Sequence, residues 1–251
     1  MKKLLLFITV ALMGFSMTSC LNDGSQQFNE RSIVYITQQY GKVYGKTLSG
    51  KIITAPKMQT MDTRSFKFFN YSWDEEFGMT EIGDFEAYNV AISGLEIDIA
   101  QTTIMDIPVE SETPDHRFMK IFSPAHDPNG LFFDDFWLFE YTFRGVEGDK
   151  ATVDFHIREF REDDDMVIVD LRLDKYEVGK ENAMTRDYAN IIAVDLGELR
   201  HEYLRGDRKE INIQFFYHGP GNDPITVRDD EFTGTEVYKM ISKEQEIKPE
   251  A

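Results

Sequence analysis

The chain has 251 residues with 45 acidic against 27 basic side chains, a formal net charge of −18. A surface this acidic repels polyphosphate, which excludes nucleic acid and anionic headgroups as expected partners. With 41% hydrophobic and 13% aromatic residues the chain can bury a sizeable core, and its one cysteine excludes an intrachain disulfide.

At the N-terminus Lys2 and Lys3 precede an apolar run from Leu4 to Phe15, broken only by Thr9 and Gly14. That is the layout of a bacterial export signal, and the run falls short of the roughly 20 apolar residues a spanning helix needs. It ends in Met17-Thr18-Ser19-Cys20, small residues before a cysteine, as at a lipoprotein cleavage site, with Met17 in place of the commoner leucine. The reading is a signal peptide over 1–19 and a mature chain that starts at an acylated Cys20. Two or three acyl chains hold a protein at a bilayer, because each buried methylene contributes about 0.8 kcal/mol. Residues 20–30 are polar and predict a flexible tether.

Beyond the tether the recurrent signal is period-two alternation, which sends apolar side chains to one face of a strand. Ser32 to Thr37 and Phe66 to Trp73 are β-rich, aromatic runs, and Leu95, Ile97 and Ile99 alternate with Glu96 and Asp98. Patterning then lapses from Asp106 to Gly130, with four prolines and the turn Asp127-Pro128-Asn129-Gly130, which suggests a domain boundary. Phe133 to Phe143 reopens the strand pattern. Val153, Phe155 and Ile157 follow, then Val167, Val169, Leu171 and Leu173, and later Ile211, Ile213, Phe215 and Tyr217, each set alternating with polar neighbours. Helical spacing is convincing only from Gly197 to Leu204, and the charged end at 243–251 predicts a disordered tail. The fold class is all-β: a small barrel over 31–112, then a two-sheet sandwich over 113–242.

Three stretches resemble the NigD-like lipoproteins of the Bacteroidetes. Ser32-Ile33-Val34-Tyr35-Ile36 leads through Gly41 and Gly45 to Leu48-Ser49-Gly50-Lys51-Ile52-Ile53, like that family's first barrel hairpin. Asp135 to Phe143 is similar to its opening sandwich strand, and Val169 to Leu173, Asp187, Ala193 to Leu196 and Ile211 to Gln214 are similar to its closing strands. The resemblance implies an N-terminal OB-like barrel followed by an immunoglobulin-like sandwich, and brings no biochemical activity with it. It places the chain in the cell envelope, at the outer membrane. Where members carry several acidic residues just after the cysteine, this chain has only Asp23, so the face of the membrane stays open.

Chemistry is sparse. His116, His126, His156, His201 and His218 show no zinc-site spacing, and Asp163-Asp164-Asp165 and Asp229-Asp230-Glu231 lack the alternating order of a calcium loop. These read as solvated loops or strand faces, so no metal or cofactor is expected. Ser111 and Ser123 lack the Gly-x-Ser-x-Gly setting of a nucleophile elbow, and acylation leaves no free thiol. The one site-like hint is the run Phe66 to Trp73. Period two puts Phe69, Tyr71 and Trp73 on one face, where they either pack in a core, the favoured reading, or form a ledge on which sugar rings stack. The functional expectation is a non-enzymatic envelope lipoprotein that binds a protein or glycan partner. The alternatives are a polysaccharide hydrolase with paired carboxylates and a pilus-type structural subunit.

Overall fold

The computed structural model describes residues 26–107, 109, 115–180, 183–219 and 237–243. The export segment with Cys20, Ser111, the acidic run Asp229-Asp230-Glu231 and the tail after Lys243 lie outside the described residues. The chain divides into two compact units, the first reaching Ile99 and the second starting at Ala100. No helix among the described residues is long and apolar enough to cross a membrane.

The first unit has seven strands: β1 (Gln27–Gln39), β2 (Lys42–Thr47), β3 (Ile52–Thr54), β4 (Ser65–Asp74), β5 (Met79–Ile82), β6 (Phe85–Asn89) and β7 (Ala91–Asp98). Their order in the sheet is β5-β6-β3-β2-β1-β4-β7. The β1–β2 hairpin turns on Tyr40 and Gly41, both at positive φ, the two-residue geometry whose twist matches that of paired strands. The sheet curls: Trp73 on β4 meets Tyr88 on β6 with ring centroids 5.1 Å apart, although three strands separate them in the sheet order. Val34, Ile36, Val43, Ile53, Phe69 and Tyr71 fill the concave side, and Met58, from the 3-10 turn Pro56–Thr60, is fully buried among them.

The second unit has eight strands: β8 (Ala100–Met105), β9 (Phe118–Ile121), β10 (Phe136–Gly145), β11 (Lys150–Arg161), β12 (Met166–Glu177), β13 (Arg186–Asp195), β14 (Glu210–Tyr217) and β15 (Tyr238–Ile241). Helix α1 (Gly197–Tyr203) lies between β13 and β14. β8 serves two layers. Its residues Ala100 to Thr103 pair in parallel with β13, while Ile104 and Met105 pair in parallel with β11. One layer is β9-β10-β13-β8 and the other β8-β11-β12-β14-β15. Between them Phe139 of β10 meets Phe155 of β11 at 5.1 Å and Phe215 of β14 at 4.9 Å, and Trp137 is fully buried. This is the alternation predicted for β11, β12 and β14, closed into a core.

The all-β class stands, with three differences from the sequence reading. The first sheet is a curled half-barrel of seven strands, and among the described residues no ladder joins β5 to β7 to close it. The boundary falls after Ile99 rather than at 112, because β8 pairs only within the second unit. The stretch 27–30, read as tether, is strand: Phe28 pairs with Trp73 and stacks on its ring at 5.4 Å, so one aromatic anchors an otherwise polar segment.

Candidate functional site

The aromatic run lies on β4 and is core. Phe69 and Tyr71 are fully buried, and Trp73 is 8% exposed with its indole N–H donating to the Gly78 carbonyl at 3.0 Å. Phe69, Tyr71 and Trp73 therefore offer no ledge for a sugar ring. The physical reason is the curl, which folds their face inward against β1 and β6.

Where that run reaches the end of the core, polar groups converge. The Tyr71 hydroxyl donates to Glu30 Oε2 at 2.5 Å, the Ser49 hydroxyl donates to the same oxygen at 3.2 Å, and Lys51 forms an ion pair with Glu30 Oε1. Thr47, itself fully buried, bridges to Ser49 at 2.9 Å and accepts from the Lys51 backbone N–H at 3.0 Å. Burial pushes the Tyr71 hydroxyl well up, and the neighbouring Glu30 carboxylate adds to this. Burial also acts to raise Glu30, but the bonds from Lys51 and Tyr71 outweigh it and hold the carboxyl below its ordinary range. A serine beside a lysine suggests a nucleophile and its base, yet the base must be neutral to accept a proton. Here Lys51 and Ser49 both meet Glu30 instead, and the group fastens the loop after β2 to β1 and β4.

The acidic hairpin between β11 and β12 is likewise paired. Asp164 takes Arg161 at 2.7 Å, and Asp165, at positive φ, takes Arg208 at 2.8 Å. No group of three metal-ligating side chains occurs among the described residues.

The histidines have separate settings. His126 packs against Trp137 at 4.5 Å, and His156 Nδ1 lies 3.1 Å from the Ile107 carbonyl. His218, just past β14, joins a cluster that sequence reading missed. On the outer side of β12, Asp170 is 3% exposed and accepts from Arg172 Nε at 3.1 Å and Nη2 at 2.9 Å, both on Oδ2. Its Oδ1 lies 3.6 Å from Nε2 of His218, which is 7% exposed. Neither of these two atoms has a hydrogen-bond partner among the described residues. Phe216 sets its ring edge-on to His218 at 5.2 Å, the Arg158 guanidinium lies over the Phe216 ring at 5.0 Å, and Arg117 donates to the Gly219 carbonyl at 3.5 Å. Burial first, then Arg172, Arg117 and Arg158, hold the His218 imidazole below its ordinary value, while Asp170 acts the other way. The parallel register of β12 and β14 brings Asp170 opposite Phe216, a pairing no local pattern announces.

No family model and no curated protein matches the chain. Solved structures do. A candidate lipoprotein from Bacteroides fragilis is 11% identical with a TM-score of 0.54, covering 86% of this chain and 98% of that one. An uncharacterized protein from Parabacteroides merdae is 16% identical with a TM-score of 0.53, covering 84% and 96%. A NigD-like immunity protein from Bacteroides caccae is a looser match, 14% identical with a TM-score of 0.46 over 79% and 89%. At these identities the likeness is one of fold: this chain has the all-β fold of the Bacteroides fragilis and Parabacteroides merdae proteins, with a NigD-like protein among its structural neighbours.

Proposed function

We propose that the chain is a non-enzymatic protein of the cell envelope, held to its membrane through acylated Cys20, whose β surface takes a protein partner. The observation that carries this reading is an apolar strip at the open edge of the first unit. On β7, Leu95 is 89% exposed and Ile97 49% exposed. Sequence alternation made these the core residues of their strand. Pairing with β4 sets Ile97 opposite Phe68, on the outward face, while Glu96 turns toward Lys57 and forms an ion pair with it. Apolar side chains turned to solvent on a sheet edge mark an interaction surface or an aggregation hazard. The register shift in β7 beside Gly94 blunts the edge against plain strand addition and leaves the side chains presented.

Two further observations favour a protein over a glycan, and binding over catalysis. The aromatic ledge that would stack sugars is inside, and the Ser49–Lys51 pair is neutralised by Glu30. The likeness in fold to a candidate lipoprotein supports the envelope placement.

The test uses the full chain in the bacterium that produces it, carrying a photo-crosslinking residue at Leu95 or, as control, at exposed Lys180. A discrete adduct at Leu95, absent at Lys180 and lost in Cys20→Ala, is expected. Diffuse adducts or none would overturn the partner. Fatty-acid labelling that persists in Cys20→Ala would overturn the anchor.

A further inference from the structure

We infer that Arg117, bonded to the Gly219 carbonyl, and Arg158, laid over Phe216, form beside the buried Asp170–His218 pair a binding site for a single oxyanion group, a phosphate or a carboxylate.

The argument begins with backbone. Along β11 and β12 the register shifts between Ile157 and Glu159, so Arg158 is one residue more than the ladder requires. Such a bulge turns the extra side chain outward beside its neighbour, and bulges recur next to functional sites. Arg158 is thereby laid over Phe216 at 5.0 Å, and Phe216 in turn abuts His218. Arg117 approaches from the segment before β9, where the Phe118 N–H donates to the His218 carbonyl at 3.0 Å.

Charge comes next. Acidic residues outnumber basic ones 45 to 27, so an arginine without a carboxylate is unexpected in this chain. Among the described residues Arg172 is paired with Asp170, but Arg158 has a ring and Arg117 a backbone carbonyl. Two guanidiniums thus have no carboxylate partner among the described residues. Beside them lies a buried imidazole with Nε2 unpartnered, facing an Asp170 whose charge Arg172 already balances. Arg158 is exposed and Arg117 half-buried, so both forks are open to a ligand, and an oxyanion would accept charge-assisted hydrogen bonds from them.

The ligand class follows from donor geometry. Guanidinium forks match carboxylate and phosphate oxygens, and the net charge of −18 repels an extended polyanion while Arg117 and Arg158 supply a local positive field. One small oxyanion group fits both conditions.

The experiment is isothermal titration calorimetry of the full chain at low ionic strength, with inorganic phosphate in one arm and succinate in the other. Saturable binding in at least one arm is expected, and the arm that binds assigns the group. Arg158→Gln and Arg117→Gln should each weaken it about tenfold, the size of one charge-assisted hydrogen bond. Arg158 is exposed, so its variant keeps the fold even if that of half-buried Arg117 does not. Arg186→Gln, which removes a guanidinium lying over Tyr188 in the other layer, should leave binding unchanged. Absence of saturable heat in both arms, or binding that survives Arg158→Gln at full strength, would overturn the site.

Discussion

Trp73→Ala is the most direct test of the first unit's architecture. The indole stacks on Phe28 at 5.4 Å, meets Tyr88 edge-on at 5.1 Å and donates to the Gly78 carbonyl at 3.0 Å. Truncating a buried aromatic to alanine costs about 3–5 kcal/mol, through lost transfer free energy and an unfilled cavity. Two ring pairs at about 0.5–1.5 kcal/mol each place this site toward the upper end, so about 4–5 kcal/mol is expected. Against a total of about 5–15 kcal/mol, that would leave the folded state marginal. With a urea slope of about 2 kcal/mol per molar, the unfolding midpoint should fall by roughly 2 M, read by far-ultraviolet circular dichroism. Trp73→Phe keeps the ring stack and should recover most of the loss. A residue on an exposed ledge would change stability by no more than about 0.5 kcal/mol. An unchanged midpoint in Trp73→Ala would therefore refute the inward curl and return β4 to consideration as a ligand face.

Gly45→Ala should destabilise by about 1–3 kcal/mol, since a Cβ there would come within 2.3 Å of Val34 Cγ1 and 2.8 Å of the Met58 methyl; a wild-type melting midpoint would contradict that packing. Burial pushes the Tyr141 hydroxyl up to about 12. The folded state therefore holds that proton longer, so the stabilisation is complete below the unfolded value of about 10 and is lost as pH rises toward the folded one. Tyr141→Phe, which removes the bond to the Ala151 carbonyl at 2.9 Å, should lower neutral-pH stability by about 1 kcal/mol and lessen the alkaline loss; urea midpoints with an unaltered alkaline slope would count against it.

Legibility in the sequence followed burial on one face. β11, β12 and β14 each bury one face and solvate the other, and their alternation was readable residue by residue. β5 and β6 were not singled out, being only four and five residues long with a charged residue interrupting each run. β7 was read as a strand with its faces reversed, because alternation fixes that two faces differ and only pairing fixes which is inside. Ile92 opposite Tyr71 sets that choice, and Leu95 and Ile97 then point outward. The aromatic run on β4 was legible as two faces, and its burial depended on the curl that brings β6 over it. The cluster around His218 was not legible at all. It joins residue 117, β11, β12 and the end of β14, and its two arginines differ from others in the sequence only by what they fail to meet.

The bulge at Arg158 separates what stabilises this unit from what the site requires. Ahead of it Ile157 pairs with Val169, and beyond it Glu159 pairs with Ile168 and Phe160 with Val167. Deleting Arg158 would leave all three pairings available with no extra residue between them, and Ile157 and Phe160 would keep the faces on which they pack. The ladder would gain regularity, and the cost should lie within about 1 kcal/mol of zero. A strand that folds as well without the residue would be carrying it for its side chain, the cation over Phe216. Denaturant unfolding of the deletion variant beside wild type decides this. A near-equal midpoint with weakened phosphate or succinate binding is the expected outcome. A fall of several kcal/mol would show that the bulge shapes the sandwich itself, and would refute its reading as a device that aims Arg158 at the buried pair.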